Sequence, residues 1–593
     1  MNFLKTFLAA LLAVVVGSVV TFIFWLIVLV SLAAAFGGST EPVVVAPHSV
    51  LKIDLAETVT DAPSTDPLAG FDLMSMNRTQ QLSLFSVLRA IDAAASDDRI
   101  EGIYLRLNGG GGFDSMAVLE ELREALAAFR EESGKFIVAY NEGYTQGQYY
   151  LASVADRIYL QPQGGMDWTG LAQELVFFKG LMNKLGVQAE VFRPTACKYK
   201  SAVEPYILDK MSPENRAQMQ QLVDSLWATI AGAVAESRGI DYAELQRMTD
   251  ALEVVLPEEA LAKGFVDGLC YEDQMEEVFA ELGVEADKKG DYRFVTLGEY
   301  AGYTGVDLSG PQVAIVYANG EVLDGEGSDD NIYGNTLARQ LAAMRKDKEV
   351  AAVVLRVNSP GGSALASDLI WREMELLKAE KPVVVSMGGY AASGGYYISC
   401  PADVIVADRT SITGSIGVFG LIYNLRDAMV NKLGITFDTV ESNAEASLSG
   451  FAPLSPVQRA AIMRGVDRVY ETFTNNVANG RNLSIDHVLE IAGGRVWTGA
   501  DAKEIGLVDT YGGLTTAIAL AADKAGLGDD YHITEQVERP EGIAAMLSAL
   551  QLQVRTKIKC SELGLRTADY ERLRTALSQE GIRMYCPYTV RMH

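Results

Sequence analysis

Histidine and cysteine are scarce in this sequence of 593 residues, which contains four histidines and five cysteines. The histidines stand apart and form no HExxH pattern, so no motif supports a zinc site or a Ser-His-Asp triad. The cysteines are odd in number and show no CxxC spacing, which excludes a disulfide scaffold. Two of them, Cys560 and Cys586, share the C-terminal tail, and the sequence leaves open whether they pair. We expect neither a metal nor another cofactor.

Positively charged residues are also in the minority. The sequence has 50 lysines and arginines against 77 acidic residues, which gives a net charge of -27. Phosphate binding needs clustered lysine and arginine, so nucleic acid is excluded as a partner. The acidity is spread along the chain, which is typical of a solvated exterior.

One long apolar run stands at the N-terminus. From Phe7 to Phe36 there is no charged residue, and spanning a bilayer needs about 20 apolar residues. A signal-peptide core is only about 7–15 residues long, so the run predicts an uncleaved transmembrane helix, with its linker at residues 1–46. Lys5 is the only positive residue before the run, and the positive-inside bias places the body outside the cytoplasm.

Two parts of the remaining chain repeat each other. Glu101–Asn108 and Ala351–Asn358 both end in Leu-Arg-x-Asn before a glycine-rich turn. Asn141–Tyr150 and Met387–Tyr397 then match through their tyrosines, and further landmarks match downstream. Such self-similarity predicts a duplication. We place the first copy at residues 47–310, the second at 311–528, and at 529–593 an extension without a counterpart whose role cannot be read.

Each copy alternates strand-like and helical segments. Val50–Leu55 and Gln312–Ala318 begin the copies, and long helices are predicted at Met116–Glu132 and Ala364–Glu380. Strands that alternate with helices of about 10–15 residues indicate βαβ units and a mainly parallel sheet. The fold class is therefore α/β, with tandem duplicated domains after the transmembrane helix.

The copies differ in a serine and a lysine. The first copy is one residue short between the matching tyrosines, and the residue without a counterpart lies at or beside Ser393. The first copy instead contains Lys200, whereas the matching stretch of the second has no lysine between Lys432 and Lys503. A serine nucleophile needs a base, and a buried neutral lysine can supply one. Lys198 lies two residues away and would share a strand face with Lys200, so the sequence does not separate these candidates.

Two glycine-rich turns frame the candidate serine. Asn358–Ser363 (NSPGGS) follows one buried strand, and Ala391–Gly395 (AASGG) follows the next. Backbone N–H groups in such turns suit an anion, including the oxyanion of a tetrahedral intermediate. Taken singly, the ordinary interpretations are a tight turn and a serine N-cap. Their pairing on neighbouring βα turns favours an active site.

The motifs NSPGGS, GGYAASGGYYIS, TGSIGVFG, YKSAVEP and GRVWTGADAKEIGLVD together resemble the signal peptide peptidase A family in its long, duplicated form. The resemblance implies a ClpP/crotonase-like fold and a Ser/Lys dyad that degrades remnant signal peptides and other hydrophobic peptides. By motif it implies Ser393 as nucleophile, Lys200 as general base, Ser415 as the serine that orients the lysine, and Gly361 and Gly394 as the oxyanion hole.

The resemblance also implies a homotetramer, anchored by one span in the bacterial inner membrane with its catalytic body on the periplasmic side. A closed ring places equivalent edges at every junction, so Lys200 and Ser393 need not meet within one chain. We therefore expect a neighbouring chain to complete each site, and isolated monomers to be inactive.

Two other functions compete with this interpretation. A crotonase-type acyl-CoA enzyme shares the fold and the oxyanion logic, but it needs neither a serine nucleophile nor a transmembrane segment. The other alternative is a membrane scaffold without catalytic activity, in which both copies would have lost the active-site residues as the first copy has lost the serine. The second copy retains Ser393 and both glycine-rich turns, which argues against this alternative.

Overall fold

The structure is a computed structural model that describes residue 17 and residues 44–54, 58–64, 71–72, 77–78, 81–108, 112–303, 309–327, 331–537 and 581–586. Apart from Gly17, the predicted transmembrane run lies outside these residues. Within the part of the chain that is described, no helix combines the length and apolarity that a membrane span requires. Cys560 is also outside it, so its pairing with Cys586 stays untested.

The described strands follow the alternation predicted from the sequence. Those of the first half are Ser49–Asp54 (β1), Thr58–Thr60 (β2), Phe71–Asp72 (β3), Asn77–Arg78 (β4), Gln81–Ser83 (β5), Ile100–Arg106 (β6), Phe136–Asn141 (β7), Arg157–Leu160 (β8), Gln188–Phe192 (β9), Gly268–Leu269 (β10) and Arg293–Thr296 (β11). Those of the second half are Gln312–Asn319 (β12), Val322–Leu323 (β13), Ile332–Tyr333 (β14), Val350–Ser359 (β15), Gly361–Ser363 (β16), Val383–Ala392 (β17), Val404–Ala407 (β18), Ile412–Gly414 (β19), Phe419–Asn424 (β20), Val496–Thr498 (β21), Thr510–Tyr511 (β22), His532–Gln536 (β23) and Gly581–Tyr585 (β24).

Helices connect most of these strands. In the first half they are Leu84–Ser96 (α1), Met116–Ser133 (α2), Gln146–Ala152 (α3), Lys179–Leu185 (α4), Glu204–Ile207 (α5), Pro213–Arg238 (α6), Tyr242–Asp250 (α7), Pro257–Ala262 (α8), Met275–Glu281 (α9) and Leu297–Tyr303 (α10). In the second half they are Gly334–Lys346 (α11), Ala364–Lys378 (α12), Gly394–Ser399 (α13), Pro456–Arg481 (α14), Ile485–Ile491 (α15), Gly499–Glu504 (α16) and Leu514–Lys524 (α17).

Two sheets repeat one strand order, as the duplication predicts. The first runs β10-β8-β7-β6-β1-β11, and the second contains the series β22-β18-β17-β15-β12-β23 with β19 and β21 added beside β17. All neighbours within the two six-strand series are parallel. β15 and β17 are buried along almost their whole length, which explains their continuous apolar sequences, since parallel sheets carry helices on both faces. The α/β class with a mainly parallel sheet is confirmed.

The start of the extension has a counterpart, contrary to the sequence analysis. His532–Gln536 pairs in parallel with β12, and Arg293–Thr296 pairs in parallel with β1. Both strands occupy the same edge of their sheets. The extension therefore begins with the edge strand of the second copy's sheet. The two edge strands have equivalent positions but dissimilar sequences, so comparison of the sequences did not reveal the match.

A third sheet joins the copies, in the order β14-β13-β16-β24-β20-β9. Its strand β9 comes from the first copy and pairs antiparallel with β20 of the second, with Phe192 opposite Gly420. Lys200 follows β9 closely in the sequence, and Ser393 follows β17. The pairing therefore carries the first copy's lysine toward the second copy's serine.

A buried ionic cluster also links the copies. The guanidinium of Arg356, within β15, contacts the carboxylates of Asp61 and Glu121 from the first copy, with Glu121 at 2.6 Å. The side chain of Arg356 is fully buried. Glu121 also accepts a hydrogen bond of 2.6 Å from the backbone of Leu514. Removing one partner from such a cluster would leave an uncompensated buried charge.

Candidate active site

Lys200 and Ser393 meet within one chain. The Nζ atom of Lys200 lies 2.6 Å from the Oγ atom of Ser393, although the two residues are 193 positions apart in the sequence. The same Nζ atom lies 2.9 Å from Ser415 Oγ and 3.0 Å from the Ser415 carbonyl oxygen. All three residues are buried, at 2% exposure or less. The expectation that a neighbouring chain completes the site is therefore wrong for this chain.

Ser393 has an unusual backbone at the junction of β17 and α13. Its φ is 57° and its ψ is -113°, and its side chain makes no capping hydrogen bond to the helix. The ordinary N-cap interpretation thus does not describe this serine. A positive φ is uncommon for a residue with a side chain and costs roughly 1–3 kcal/mol, so it persists only where the surroundings hold it. The turn presents the hydroxyl to Lys200 instead of to the helix backbone.

Small residues around Ser393 are required by close packing. A Cβ at Gly394 would lie 2.8 Å from Ser367 Oγ and 3.1 Å from Gly361 Cα, and one at Gly395 would lie 2.7 Å from the Ser359 carbonyl oxygen. The turn after β17 and the turn after β15 therefore touch through glycines. This contact explains the two glycines of the AASGG motif.

Burial controls the protonation of Lys200. Loss of solvation lowers the pKa of Lys200 to about 7, against the opposing effect of the thiols of Cys586 and Cys197. Burial disfavours the charged ammonium form, so a large fraction of the side chain is a neutral amine near neutral pH. A neutral amine can accept a proton from a serine hydroxyl.

Lys198, the other candidate base, is placed elsewhere. Its side chain is exposed and its Nζ atom lies 5.4 Å from the ring centre of Tyr199. Consecutive residues of this segment form a turn rather than a strand, so the two lysines do not share a face. The structure therefore brings Lys200, and not Lys198, to Ser393.

The loop before β21 packs against Lys200 and restricts its position, a role that the sequence analysis did not predict. Gly494 has a φ of 83°, and a Cβ there would lie 2.5 Å from the Cβ of Lys200. The neighbouring Gly493 accepts a backbone hydrogen bond of 3.0 Å from Tyr199. The hydroxyl of Ser415 lies 3.5 Å from the carbonyl oxygen of Gly494. The GRVW motif was visible in the sequence, but only the folded chain shows that it backs the lysine.

The two predicted oxyanion donors lie side by side. A Cβ at Gly361, whose φ is 97°, would lie 2.6 Å from the amide nitrogen of Gly394. The amide of Gly361 donates a hydrogen bond of 3.1 Å to Ser359 Oγ. An oxyanion bound there would compete with that hydroxyl for the Gly361 amide.

No cluster of three or more histidine, cysteine or acidic residues that could hold a metal occurs among the described residues.

Comparison with known proteins covers both copies. The profile of Peptidase family S49 matches residues 129–286 and 375–528, and that of Clp protease matches residues 313–412. Protease 4 of Salmonella typhi is 37% identical over 524 residues, covering 86% of this chain and 84% of that protein. Protease 4 of Haemophilus influenzae is 37% identical over 455 residues, covering 74% and 72%. Serine protease SPPA, chloroplastic, of Arabidopsis thaliana is 33% identical over 479 residues, covering 77% and 68%. The parallel sheet of the second copy thus belongs to a Clp protease-like domain, and the sheet of the first copy repeats its strand order.

Proposed function

The chain belongs to peptidase family S49 and is a serine protease of that family, and from that premise we propose that it is an endopeptidase with a Ser393/Lys200 dyad. The observation that carries this proposal is the 2.6 Å contact between the buried lysine amine and the serine hydroxyl. A nucleophile and a base within hydrogen-bonding reach form the constellation of covalent acyl transfer.

The surroundings of Lys200 support its role as general base. A neutral amine has two N–H groups and one lone pair. Ser415 offers two oxygen acceptors at 2.9 and 3.0 Å, which leaves the lone pair directed at the third neighbour, Ser393. Ser415 thus acts as a positioning residue for the base.

The reaction then proceeds in two stages. Ser393 Oγ attacks the scissile carbonyl carbon while its proton passes to Lys200, and the resulting oxyanion is stabilised by the amides at Gly361 and Gly394. Lys200 donates the proton to the leaving amine as the C–N bond breaks, which produces an acyl-enzyme. Water, deprotonated by Lys200, attacks the ester, and Ser393 regains its proton.

The physiological setting is part of the same proposal. The uncharged run from Phe7 to Phe36 supports a membrane anchor with the catalytic body outside the cytoplasm. A relative named Putative signal peptide peptidase SppA, from Enterococcus faecium, is 41% identical over 177 residues, 29% of this chain and 51% of that protein. We infer that remnant signal peptides and other hydrophobic peptides are the substrates, and that the protein is a homotetramer.

The test is peptide hydrolysis by the purified protein. Ser393→Ala and Lys200→Ala should abolish turnover, and Lys198→Ala, a matched change of an exposed lysine, should retain it. Labelling of wild type by a fluorophosphonate, absent in Ser393→Ala, would identify the nucleophile. Full turnover in Lys200→Ala would disprove the dyad, and turnover of acyl-CoA without labelling of Ser393 would favour the crotonase alternative.

A further inference from the structure

A carboxylate of the first copy holds a loop of the second copy. Residues 408–411, the β18–β19 loop, connect β18 to β19. The side chain of Glu120, in α2 of the first copy, accepts hydrogen bonds from the Thr410 amide at 2.9 Å, the Thr410 hydroxyl at 2.7 Å and the Arg409 amide at 3.2 Å. Glu120 and Thr410 are both buried. One buried carboxylate therefore satisfies three donors of this loop.

The strand that follows the β18–β19 loop ends at the dyad. It is β19, which is only three residues long, Ile412–Gly414. At its end the carbonyl oxygen of Gly414 accepts a hydrogen bond of 2.8 Å from the Ser393 amide. The next residue, Ser415, contacts Lys200 Nζ and has a φ of 52°, a backbone conformation that its surroundings must hold in place. The position of the loop therefore affects both members of the dyad through one short strand.

Glu120 itself has a fixed position. The helix α2 begins after Ser115, whose side chain caps its N-terminus. A Cβ at Gly389, in β17, would lie 2.4 Å from the Cβ of Ser115, so the start of the helix packs directly against β17. The residue after Glu120 is Glu121, which contacts Arg356 at 2.6 Å. The helix is thus anchored on the second copy on both sides of Glu120, and its carboxylate can hold the β18–β19 loop rigidly.

The matching loop of the first copy is organised differently. It follows β8 and begins Gln161, Pro162, Gln163, where the second copy has Asp408, Arg409 and Thr410 after β18. A proline nitrogen carries no hydrogen, and the Gln163 amide donates to the side chain of Gln161. The first copy's loop therefore satisfies its own backbone, whereas the loop of the second copy depends on a carboxylate from the first.

We propose that Glu120 is a positioning residue for the dyad. It fixes the β18–β19 loop and, through β19, the placement of Ser415 beside Lys200 and of the backbone that holds Ser393. This inference rests on the proposed function. It gives the first copy a second contribution to the site: besides supplying the base, this copy sets the distance between the base and a nucleophile that belongs to the other copy.

Glu120→Gln in the full chain tests the proposal. The amide side chain keeps one acceptor oxygen and turns an NH2 group toward the donors of the loop, so at least one hydrogen bond is lost. We expect kcat for a fluorogenic peptide to fall roughly ten- to a hundredfold, the effect of a small misplacement at an active site, with KM changed less than about twofold. A rise in KM at unchanged kcat would mean a lost binding contact instead and would overturn the proposal.

Three further variants separate positioning from stability. Thr410→Val removes only the hydroxyl contact, so it should lower kcat less than Glu120→Gln, and it decides the question if Glu120→Gln does not fold. Glu121→Gln changes the neighbouring carboxylate, which contacts β15 and α17 instead. It should lower the midpoint of thermal unfolding and leave the kcat of the folded protein unchanged. Glu124→Gln, one turn further along α2 at a side chain that is 47% exposed, should change neither quantity.

The last measurement is a double-mutant cycle with Ser415, read as the rate at which a fluorophosphonate labels Ser393. Glu120→Gln should slow labelling about tenfold or more when Ser415 is present and about threefold or less in Ser415→Ala, because residues that act through one contact are not additive. A residue that only stabilises the fold would slow labelling equally in both backgrounds. Equal factors, or an unchanged kcat in both Glu120→Gln and Thr410→Val, would overturn the positioning role.

These outcomes are separable from failure of the proposed function. If wild type and Glu120→Gln hydrolyse the peptide at one rate and label at Ser393 at one rate, the protease stands and the positioning role is wrong. If wild type itself neither hydrolyses peptides nor reacts with the fluorophosphonate, the proposed function is wrong and Glu120 has no dyad to position.

Discussion

The turn after β7 and the turn after β17 are the same turn built twice. In the first copy the Tyr149 hydroxyl donates to the carbonyl oxygen of Phe265 at 2.8 Å. In the second copy the Tyr396 hydroxyl donates to that of Leu507 at 2.9 Å. Both tyrosines lie in the helix that follows the turn, α3 or α13. The scaffold around the turn has therefore been kept in both copies.

Only one of the two turns is strained. In the first copy Thr145 precedes the helix with a φ of -69°, and its side chain and that of Gln148 form a complete capping box. In the second copy Ser393 has a φ of 57° and caps nothing. In the first copy, which lacks the serine, an ordinary capping box satisfies the free backbone N–H groups at the start of α3. The strained backbone is therefore confined to the copy that carries the proposed nucleophile, and the fold alone does not require it.

The first prediction concerns whether a single chain supplies both residues of the proposed dyad. Mixed assemblies of Ser393→Ala chains and Lys200→Ala chains should stay inactive, at roughly 10⁴- to 10⁶-fold below wild type, because both residues meet within one chain. Peptide hydrolysis by co-expressed chains, with the mixed assembly verified by mass, measures this. Recovery of activity in the mixture would mean that the lysine of one chain serves the serine of another.

The matched arginines of the two Leu-Arg-x-Asn strands offer a contrast in stability. Arg356 is fully buried between Asp61 and Glu121, whereas Arg106 is 23% exposed beside Asp54 and Glu272. Arg356→Met should lower the free energy of unfolding by about 3–5 kcal/mol, and Arg106→Met by about 1 kcal/mol or less. Denaturant midpoints compare the two, and equal losses would contradict the importance of the buried cluster.

The loops that precede β21 and α8 share a left-handed residue. Gly494 has a φ of 83° and its counterpart in the duplication, Leu252, a φ of 51°, but only Gly494 lies against Lys200. Gly494→Ala should displace the lysine and lower kcat roughly a hundredfold, the effect of a misplacement of about 1 Å. Leu252→Ala is the control and should leave kcat unchanged. An unaltered kcat in Gly494→Ala would show that the lysine does not depend on this contact.

The pH profile distinguishes a buried lysine from an exposed one. The lowered pKa of Lys200, about 7, means that the base is protonated and inactive below neutral pH. We expect kcat/KM to rise about tenfold per pH unit up to about pH 7 and then to level off. Lys198→Ala should keep this midpoint. A flat profile down to pH 5, with chemistry rate-limiting, would exclude lysine as the base.

The last prediction concerns Asp408, which corresponds to Gln161 in the first copy. Burial raises the pKa of Asp408 well above its usual range, helped by Glu121 and Glu120 and opposed by Arg356, with Glu124 adding a weaker effect. Both of its carboxyl oxygens are buried without a hydrogen-bond partner among the described residues.

The sign of the effect follows from the raised pKa. The folded state binds the proton more tightly than the unfolded state, so stability is full below about pH 4 and falls as pH rises toward the folded pKa. Asp408→Asn should therefore stabilise the protein at pH 8 and hardly at all at pH 4. Thermal unfolding at both pH values measures this, and a uniform shift would argue against a titrating carboxyl.

Sequence analysis predicted the fold and singled out two residues that the structure brings together, Ser393 and Lys200, because both leave local signals. The buried strands β15 and β17 appear as apolar runs that end in glycine-rich turns, and the helix predicted at Met116–Glu132 is Met116–Ser133 in the structure. Ser393 and Lys200 stood out because a duplicated chain supplies its own reference. Each was the residue that one copy held and the other lacked.

Long-range pairing left no such signal. Nothing in the local pattern of Gln188–Phe192 or Gly581–Tyr585 indicates a partner strand far away in the sequence. The choice of Lys200 over Lys198 likewise depends on a turn, and the prediction of a strand there put both on one face. The sequence analysis predicts an active site shared between two chains, because sequence spacing alone does not show how the two copies within one chain pack against each other.

The antiparallel pairing of β9 with β20 has a consequence for biosynthesis. Lys200 leaves the ribosome long before Ser393 and the loop at Gly494 that backs the lysine. At about 5–20 residues per second, the chain needs roughly fifteen seconds to a minute to reach Gly494 after Lys200 is made. During that time the nascent chain has the proposed base without its nucleophile and, by the proposed mechanism, cannot cut its neighbours. Proteolytic competence is thus delayed until translation of both copies is nearly finished.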